Sequence, residues 1–176
     1  MPLLSVVVPV YRVEDYLAAC LDSILDQGFA DLELIAVDDA SDDGSAAILA
    51  DYAARDSRVR VLTLPANRGL GAARNAGMVA ATGDYVWFVD SDDWLTEGTL
   101  DAVAKRLAET DADLLITGFA RVFPDGGIKH NSVSGAGPAP DTFRLAELPG
   151  LIKLLHIACN KVIRRRLQVG QEPPAD

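Results

Sequence analysis

An α/β fold, doubly wound, with a mostly parallel central sheet and helices on both faces, follows from three features of the sequence. Short β-branched runs alternate with longer amphipathic segments up to Thr117, the order of βαβ units. Some of these runs, Leu34-Ile35-Ala36-Val37 among them, are apolar at every position, as strands covered on both sides of a parallel sheet must be. The residues that follow the runs turn abruptly polar, and an open α/β sheet binds its ligands beyond those carboxyl ends. A chain of 176 residues is one domain in size. Folding a domain of that size hides roughly 70% of the unfolded surface.

The first strand is expected over Leu4 to Val10. Glu14 to Gln27 then carries Leu17, Cys20, Leu21, Ile24 and Leu25 at helical spacing, with Gly28 as a natural stop. Strands at Leu32 to Val37, Arg60 to Leu64 and Tyr85 to Val89 precede helices over Ser45 to Ala54, Gly71 to Ala81 and Glu97 to Ala108. A fifth apolar run spans Ala112 to Thr117. Beyond Gly118 the pattern predicts a small β-hairpin in the second half, Phe119 to Phe123 and Ile128 to Val133 about the turn Pro124-Asp125-Gly126-Gly127. A loop rich in Gly, Pro and Ala, Ser134 to Asp141, leads to a short helix at Leu148 to His156 and a last strand at Ile157 to Ile163. Residues 1–169 are thus read as the single domain, and 170–176, which carry nothing to bury, as a disordered tail.

Net charge narrows the partners. At −10 the chain lacks the clustered positive face that binding to a nucleic-acid backbone requires, so no nucleic acid is expected. Its two cysteines, Cys20 and Cys159, fall on different elements, which argues against a disulfide framework and fits a reducing cytoplasm. No stretch reaches the roughly 18 apolar residues of a membrane span, so any membrane contact is expected to be peripheral, at the inner face, or carried by another chain. His130 and His156 have no partner at ligand spacing, and Lys161 with Arg164-Arg165-Arg166 reads as a solvated basic face.

Three strand ends carry the candidate chemistry: Pro9-Val10-Tyr11-Arg12, Asp38-Asp39-Ala40-Ser41-Asp42-Asp43-Gly44 and Asp90-Ser91-Asp92-Asp93. In extended chain, residues two apart share a face and lie roughly 6 to 7 Å apart, so Asp90 and Asp92 aim at one ligand. Two carboxylates so placed repel unless a hard cation joins them, and Mg²⁺ or Mn²⁺ shared with a diphosphate meets that need. The plainer alternative is an acidic turn whose Asp92 or Asp93 caps the next helix. Of Asp38 and Asp39, one is expected to face the ligand edge while the other packs or caps, and Asp42 and Asp43 suit the N-terminus of the following helix. Asn67-Arg68-Gly69-Leu70-Gly71-Ala72-Ala73-Arg74 sets glycines and arginines at a helix start, with neither dinucleotide nor Walker spacing.

Together, Ser5 to Tyr11, Val37 to Gly44, Asn67-Arg68-Gly69, Ala73 to Gly77, Gly83-Asp84-Tyr85, Asp90-Ser91-Asp92-Asp93 and Asn160-Lys161 resemble the family 2 glycosyltransferases of the GT-A, Rossmann-like fold. The resemblance implies that Pro9, Tyr11 and Asp39 surround the base of a nucleoside diphosphate sugar, with uridine the usual nucleoside. Arg74 would then lie near base or phosphates, Asp90 at the ribose, and Asp92 on the Mg²⁺ or Mn²⁺. It further implies inverting transfer to an acceptor hydroxyl on a saccharide, a lipid-linked precursor or a polymer, in cell-envelope polysaccharide synthesis. Arg12 stands where the family usually has Asn. The family's acidic general base lies beyond the Asn-Lys motif, where only the unpatterned Glu172 and Asp176 follow, so no catalytic residue is assigned. The domain is therefore expected to lack its C-terminal part, with further domains of a larger polypeptide as partners. A donor-binding module without turnover is the alternative, and a nucleotidyltransferase a third reading that lacks its glycine-rich phosphate loop.

Overall fold

The structure is a computed structural model that describes residues 1–131, 142–144, 147 and 158–167. Its elements run β1 (Leu4–Val10), α1 (Glu14–Leu25), β2 (Leu32–Asp38), α2 (Ser45–Arg55), β3 (Val59–Thr63), α3 (Leu70–Ala80), β4 (Tyr85–Phe88), α4 (Thr99–Thr110), β5 (Leu114–Ile116), β6 (Phe119–Val122), β7 (Ile128–Asn131) and β8 (Lys161–Arg164). The expected loop at 134–141, the helix at 148–156, the tail at 170–176, and Glu172 and Asp176 with it, lie outside the described residues.

Among the described residues six strands form one sheet in the order β3-β2-β1-β4-β8-β5, and β6 pairs with β7 in a separate hairpin. Strands β3, β2, β1 and β4 are parallel, whereas β8 runs antiparallel to both β4 and β5. The chain winds outward from β1 through β2 to β3, then returns by α3 to lay β4 on the other side of β1. The strand order therefore reverses between β1 and β4, which is where a doubly wound sheet opens a crevice.

Alternate residues of each strand feed two separate cores. Val6, Val8, Leu34 and Trp87 pack on one face with α1, α2 and α4. Val7, Ile35, Val37, Val86 and Phe88 pack on the other with α3, through Ala73 and Ala76. Helix α3 lies close because Gly77 is there: a Cβ at that position would run into Val7 and Val37. The same close fit seats Arg74, one turn earlier, against the sheet.

Two buried polar features were not legible in the pattern. Glu33, 8% exposed on β2, accepts hydrogen bonds at Oε1 from Ser5 Oγ (2.7 Å), Thr82 N (2.6 Å), Thr82 Oγ1 (2.8 Å) and Gly83 N (3.2 Å). Its Oε2 takes Arg60 Nη1 at 2.8 Å. This knot ties β1, β2, β3 and the turn before β4 at the end of the sheet opposite the crevice. Gly83 is required there, since a Cβ would sit 2.8 Å from Ser5 N. The second is the basic run, expected as a solvated face. Only Arg166 fits that reading, at 71% side-chain exposure. Arg164 Nη2 reaches Asp111 Oδ1 at 2.5 Å with its guanidinium 4.8 Å from the Tyr85 ring centre, Arg165 Nε donates to Gly83 O at 2.6 Å, and Lys161 is buried. Pairing with β4 and β5 sets Arg164 and Arg166 on the acidic turn after α4.

Burial would raise the Glu33 carboxyl, but the donors from Ser5, Thr82 and Arg60 outweigh it and hold it at about 2 instead of the ordinary 4.5. A depressed carboxyl stabilises the fold fully above its unfolded value, and that contribution fades as pH falls from 4.5 towards 2. Glu33→Gln should therefore lower stability near neutral pH and flatten the loss of stability between about pH 5 and about pH 2.5, read by urea unfolding. An acid slope identical to the wild type would contradict the assignment.

Candidate active site

At the crevice, β1 hands over to Tyr11 and Arg12. Pro9 is buried within β1 in register with Val37, whereas Tyr11 is 41% exposed. Arg12 adopts φ +49°, a left-handed conformation that Asn tolerates far better than Arg. It is tied down from three sides. Its N–H donates to Ser41 Oγ at 3.3 Å, its guanidinium grips both oxygens of Asp42 at 2.5 and 2.6 Å, and it lies 5.3 Å from the Tyr11 ring centre. Below it, Asp43 accepts from Glu14 N and Ser45 N, and Glu14 accepts from Gly44 N, so α1 and α2 cap each other. The capping expected of Asp43 is present, while Asp42 serves as the counter-ion of Arg12.

Beyond β2 both carboxylates are buried, and both are spent on backbone amides. Asp38 Oδ1 accepts Ser41 N at 3.0 Å. Asp39, 2% exposed, accepts Arg68 N at 2.8 Å on Oδ1 and Gly69 N at 2.7 Å on Oδ2. Gly69 stands at φ +85° as the residue before α3, a conformation that a side chain would strain. The Asn67-Arg68-Gly69 motif is thus a docking loop that Asp39 clamps to the sheet, a role that strand alternation alone did not signal.

Arg74 and Asp90 meet across the crevice. Their Nη2 to Oδ1 distance is 2.5 Å, and both side chains are mostly covered, at 22% and 29% exposure. Arg74 Nε is buried without a hydrogen-bond partner among the described residues. Asp90 does not continue an extended strand. β4 ends at Phe88, and a turn closed by Asp93 N to Asp90 O (2.9 Å) folds the acidic segment back. Carboxylate oxygens of Asp90 and Asp93 and the Cys159 sulfur consequently lie within 4.8 Å of one another. The two-residue spacing that would align Asp90 with Asp92 does not apply in a turn. Asp92, exposed like Asp93, is outside that group, yet near enough for its charge to reach Asp93 and Cys20.

Electrostatics mark the same spot. Burial, then the charges of Asp92 and Asp90, push the Asp93 carboxyl upward. Burial, then Asp93, Asp92 and Asp90, push the Cys20 thiol up to about 12, and burial followed by Asp90 and Asp93 raises Cys159. Acids that disfavour one another's charge, set next to half-buried sulfur, are a donor set that a divalent cation would relieve. Beside it, Lys161 Nζ donates to Asn160 Oδ1 at 2.8 Å, and burial lowers the lysine. Trp87 Nε1 donates to Cys159 O at 2.8 Å, locking the Asn-Lys segment over β4.

Residues 5–168 match the sequence profile described as glycosyl transferase family 2. The chain belongs to glycosyl transferase family 2. EpsJ of Bacillus subtilis, an uncharacterized glycosyltransferase, is 40% identical over 71% of this chain and 36% of its own length. TuaG of Bacillus subtilis, named for teichuronic acid biosynthesis, is 34% identical over 97% of this chain and 65% of its own. Among solved structures, S. aureus TarS 1–349 in complex with UDP-GlcNAc superimposes with a TM-score of 0.79 at 29% identity, covering 96% of this chain and 47% of that 1–349 chain. The chain thus spans only part of the length of these family 2 relatives. Its sheet, helices and hairpin are those of their GT-A fold. Among the described residues no helix is long and apolar enough to cross a membrane.

Because Asp39 holds two amides, Asp39→Ala should destabilise the ligand-free protein by about 2–4 kcal/mol and lower Tm by about 5–10 °C. Asp39→Asn, which keeps one acceptor oxygen, should lose less. A Tm unchanged by either substitution in thermal unfolding would contradict the clamp.

Proposed function

We propose that this chain is the donor-binding part of a metal-dependent, inverting family 2 glycosyltransferase that uses a UDP-linked sugar in cell-envelope polysaccharide synthesis. The observation that carries the proposal is the convergence at the β1/β4 switch point of Tyr11, Asp39, the Arg74–Asp90 pair and the acidic turn. The UDP-GlcNAc complex of TarS and the teichuronic acid role in TuaG's name support the nucleotide and the polymer class.

In this reading Pro9 and Tyr11 flank the uracil, and Asp39 accepts its N–H. A carboxylate has about four lone-pair sites, so the two amides on Asp39 leave room for another donor. Asp90 takes the ribose hydroxyls and Arg74 the phosphates, with its Nε–H, unpaired among the described residues, as a further donor. Asp92 would hold Mg²⁺ or Mn²⁺, beside the Asp90 and Asp93 carboxylates. When bound, the ion supplies positive charge that stabilises the departing diphosphate. The acceptor oxygen attacks the anomeric carbon as the bond to UDP breaks, and the acceptor's proton passes to a base of the whole enzyme. Arg74 and the partly covered Asp90 orient the leaving group and keep water from its phosphates.

UDP alone should stabilise the protein only slightly, because Asp90, Asp92 and Asp93 repel its diphosphate. With Mn²⁺ and UDP at about a hundred times Kd, stabilisation should reach about 2.7 kcal/mol, a Tm rise of about 5–10 °C. Asp92→Ala should abolish the Mn²⁺-linked part. If it survives in Asp92→Ala and disappears in Asp93→Ala, the ion belongs to Asp93.

Uracil recognition by Asp39 gives a separate test. UDP should bind about ten- to a hundred-fold more tightly than CDP, which lacks that N–H, since a charge-assisted hydrogen bond contributes about 1.5–3 kcal/mol. Equal affinities by calorimetry would remove Asp39 from the base site.

A further inference from the structure

The sequence has two tryptophans, and the fold treats them oppositely. Trp87 is buried in the core and hydrogen-bonded, whereas Trp94 is 55% exposed. It directly follows Asp93, so its backbone stands one residue, about 3.8 Å, from the acidic turn at the crevice. The segment carrying it is fixed. Asp93 N donates to Asp90 O at 2.9 Å on one side, and Leu95 N donates to Ser23 Oγ at 3.0 Å on the other, with Leu95 packed against the core. Ser23 Oγ in turn donates to Cys20 O, and Gln27 Oε1 accepts Leu100 N at 3.1 Å, so helix α1 pins the whole stretch leading into α4.

A large indole held in solvent by a pinned backbone is not the outcome of a slack loop. Hydrophobic burial opposes it, and the neighbouring Leu95 shows that the segment has access to the core. An indole joins a flat apolar face to one polar N–H. A pyranose ring is complementary to it, with C–H groups on its faces and hydroxyls at its rim.

We propose that Trp94 is the platform on which a pyranose ring stacks at the mouth of the nucleotide site. The inference rests on the donor-site reading above. The ring comes either from the donor sugar or from a saccharide acceptor, since both must meet beside the diphosphate.

Tryptophan fluorescence of the 176-residue chain separates the cases. Acrylamide should quench a red-shifted component that Trp94→Phe lacks. The probes, with Mn²⁺ present, are UDP, UDP-glucose, UDP-galactose, UDP-N-acetylglucosamine, and cellotetraose or an N-acetylglucosamine tetrasaccharide added to UDP-saturated protein. Protection of the red component by a UDP-sugar but not by UDP identifies the donor ring, and protection by a tetrasaccharide identifies the acceptor. Trp94→Ala should weaken the protecting probe about tenfold while changing UDP affinity less than about twofold, with Trp94→Phe restoring most of the loss. The proposal is overturned if no sugar-bearing probe protects the red component, or if Trp94→Ala weakens UDP and UDP-sugars alike. If the wild type does not bind UDP at all, the donor-site reading fails first and this one with it.

Discussion

Everything in this molecule hangs on β1 lying between β2 and β4 with both faces covered. A strand so placed carries apolar side chains above and below, and it satisfies its backbone amides and carbonyls only sideways, through its two parallel neighbours. Where that pairing stops, at Val10, Asp38 and Phe88, the chain leaves the core at three adjacent points. The polar groups just beyond them are forced into one another's company. The crevice is the place where a paired, largely apolar stretch of sheet runs out.

What fills the two ends of the sheet follows a single physical rule. A buried carboxylate persists only when its oxygens are satisfied, and loop amides are what a sheet end offers. Glu33 collects Thr82 and Gly83 amides at one end, and Asp39 collects Arg68 and Gly69 amides at the other. The first knot sits at the end of the sheet opposite the crevice and serves stability. The second is built alike but faces the crevice, so the group that shapes the 67–69 loop also stands where a ligand would lie. Helix α3 joins the two arrangements. Gly77 lets it lie close on β1 and β2, and Arg74 is thereby held at Asp90.

The acidic turn shows how packing changes the meaning of a spacing. Asp90-Ser91-Asp92-Asp93 reads as an extended pair two residues apart, but the turn after β4 pairs Asp90 with Asp93 and adds Cys159 from a segment almost seventy residues away in sequence. Like charges are tolerated there because the adjacent ion pair with Arg74 offsets part of their repulsion.

The parallel strands and helices were legible in the sequence alone, because hydrophobic period and turn residues report local geometry directly: β1 spans the expected Leu4 to Val10, and α2 and α3 fall within a residue of expectation. The ordered motifs from Ser5 to Lys161 likewise sufficed for the family, and the strand-end logic for where to look for a site. Other features belonged to the tertiary structure. The antiparallel insertion of β8 between β4 and β5 drew Arg164 out of an apparently solvated basic run into a structural ion pair with Asp111. The Glu33 knot, the Asp39 clamp and the Asp90–Asp93–Cys159 convergence came from contacts between distant segments. A periodicity shows which face of an element is apolar, but a buried charge is placed by its partners, and partners brought together by strand order leave no local trace in the chain.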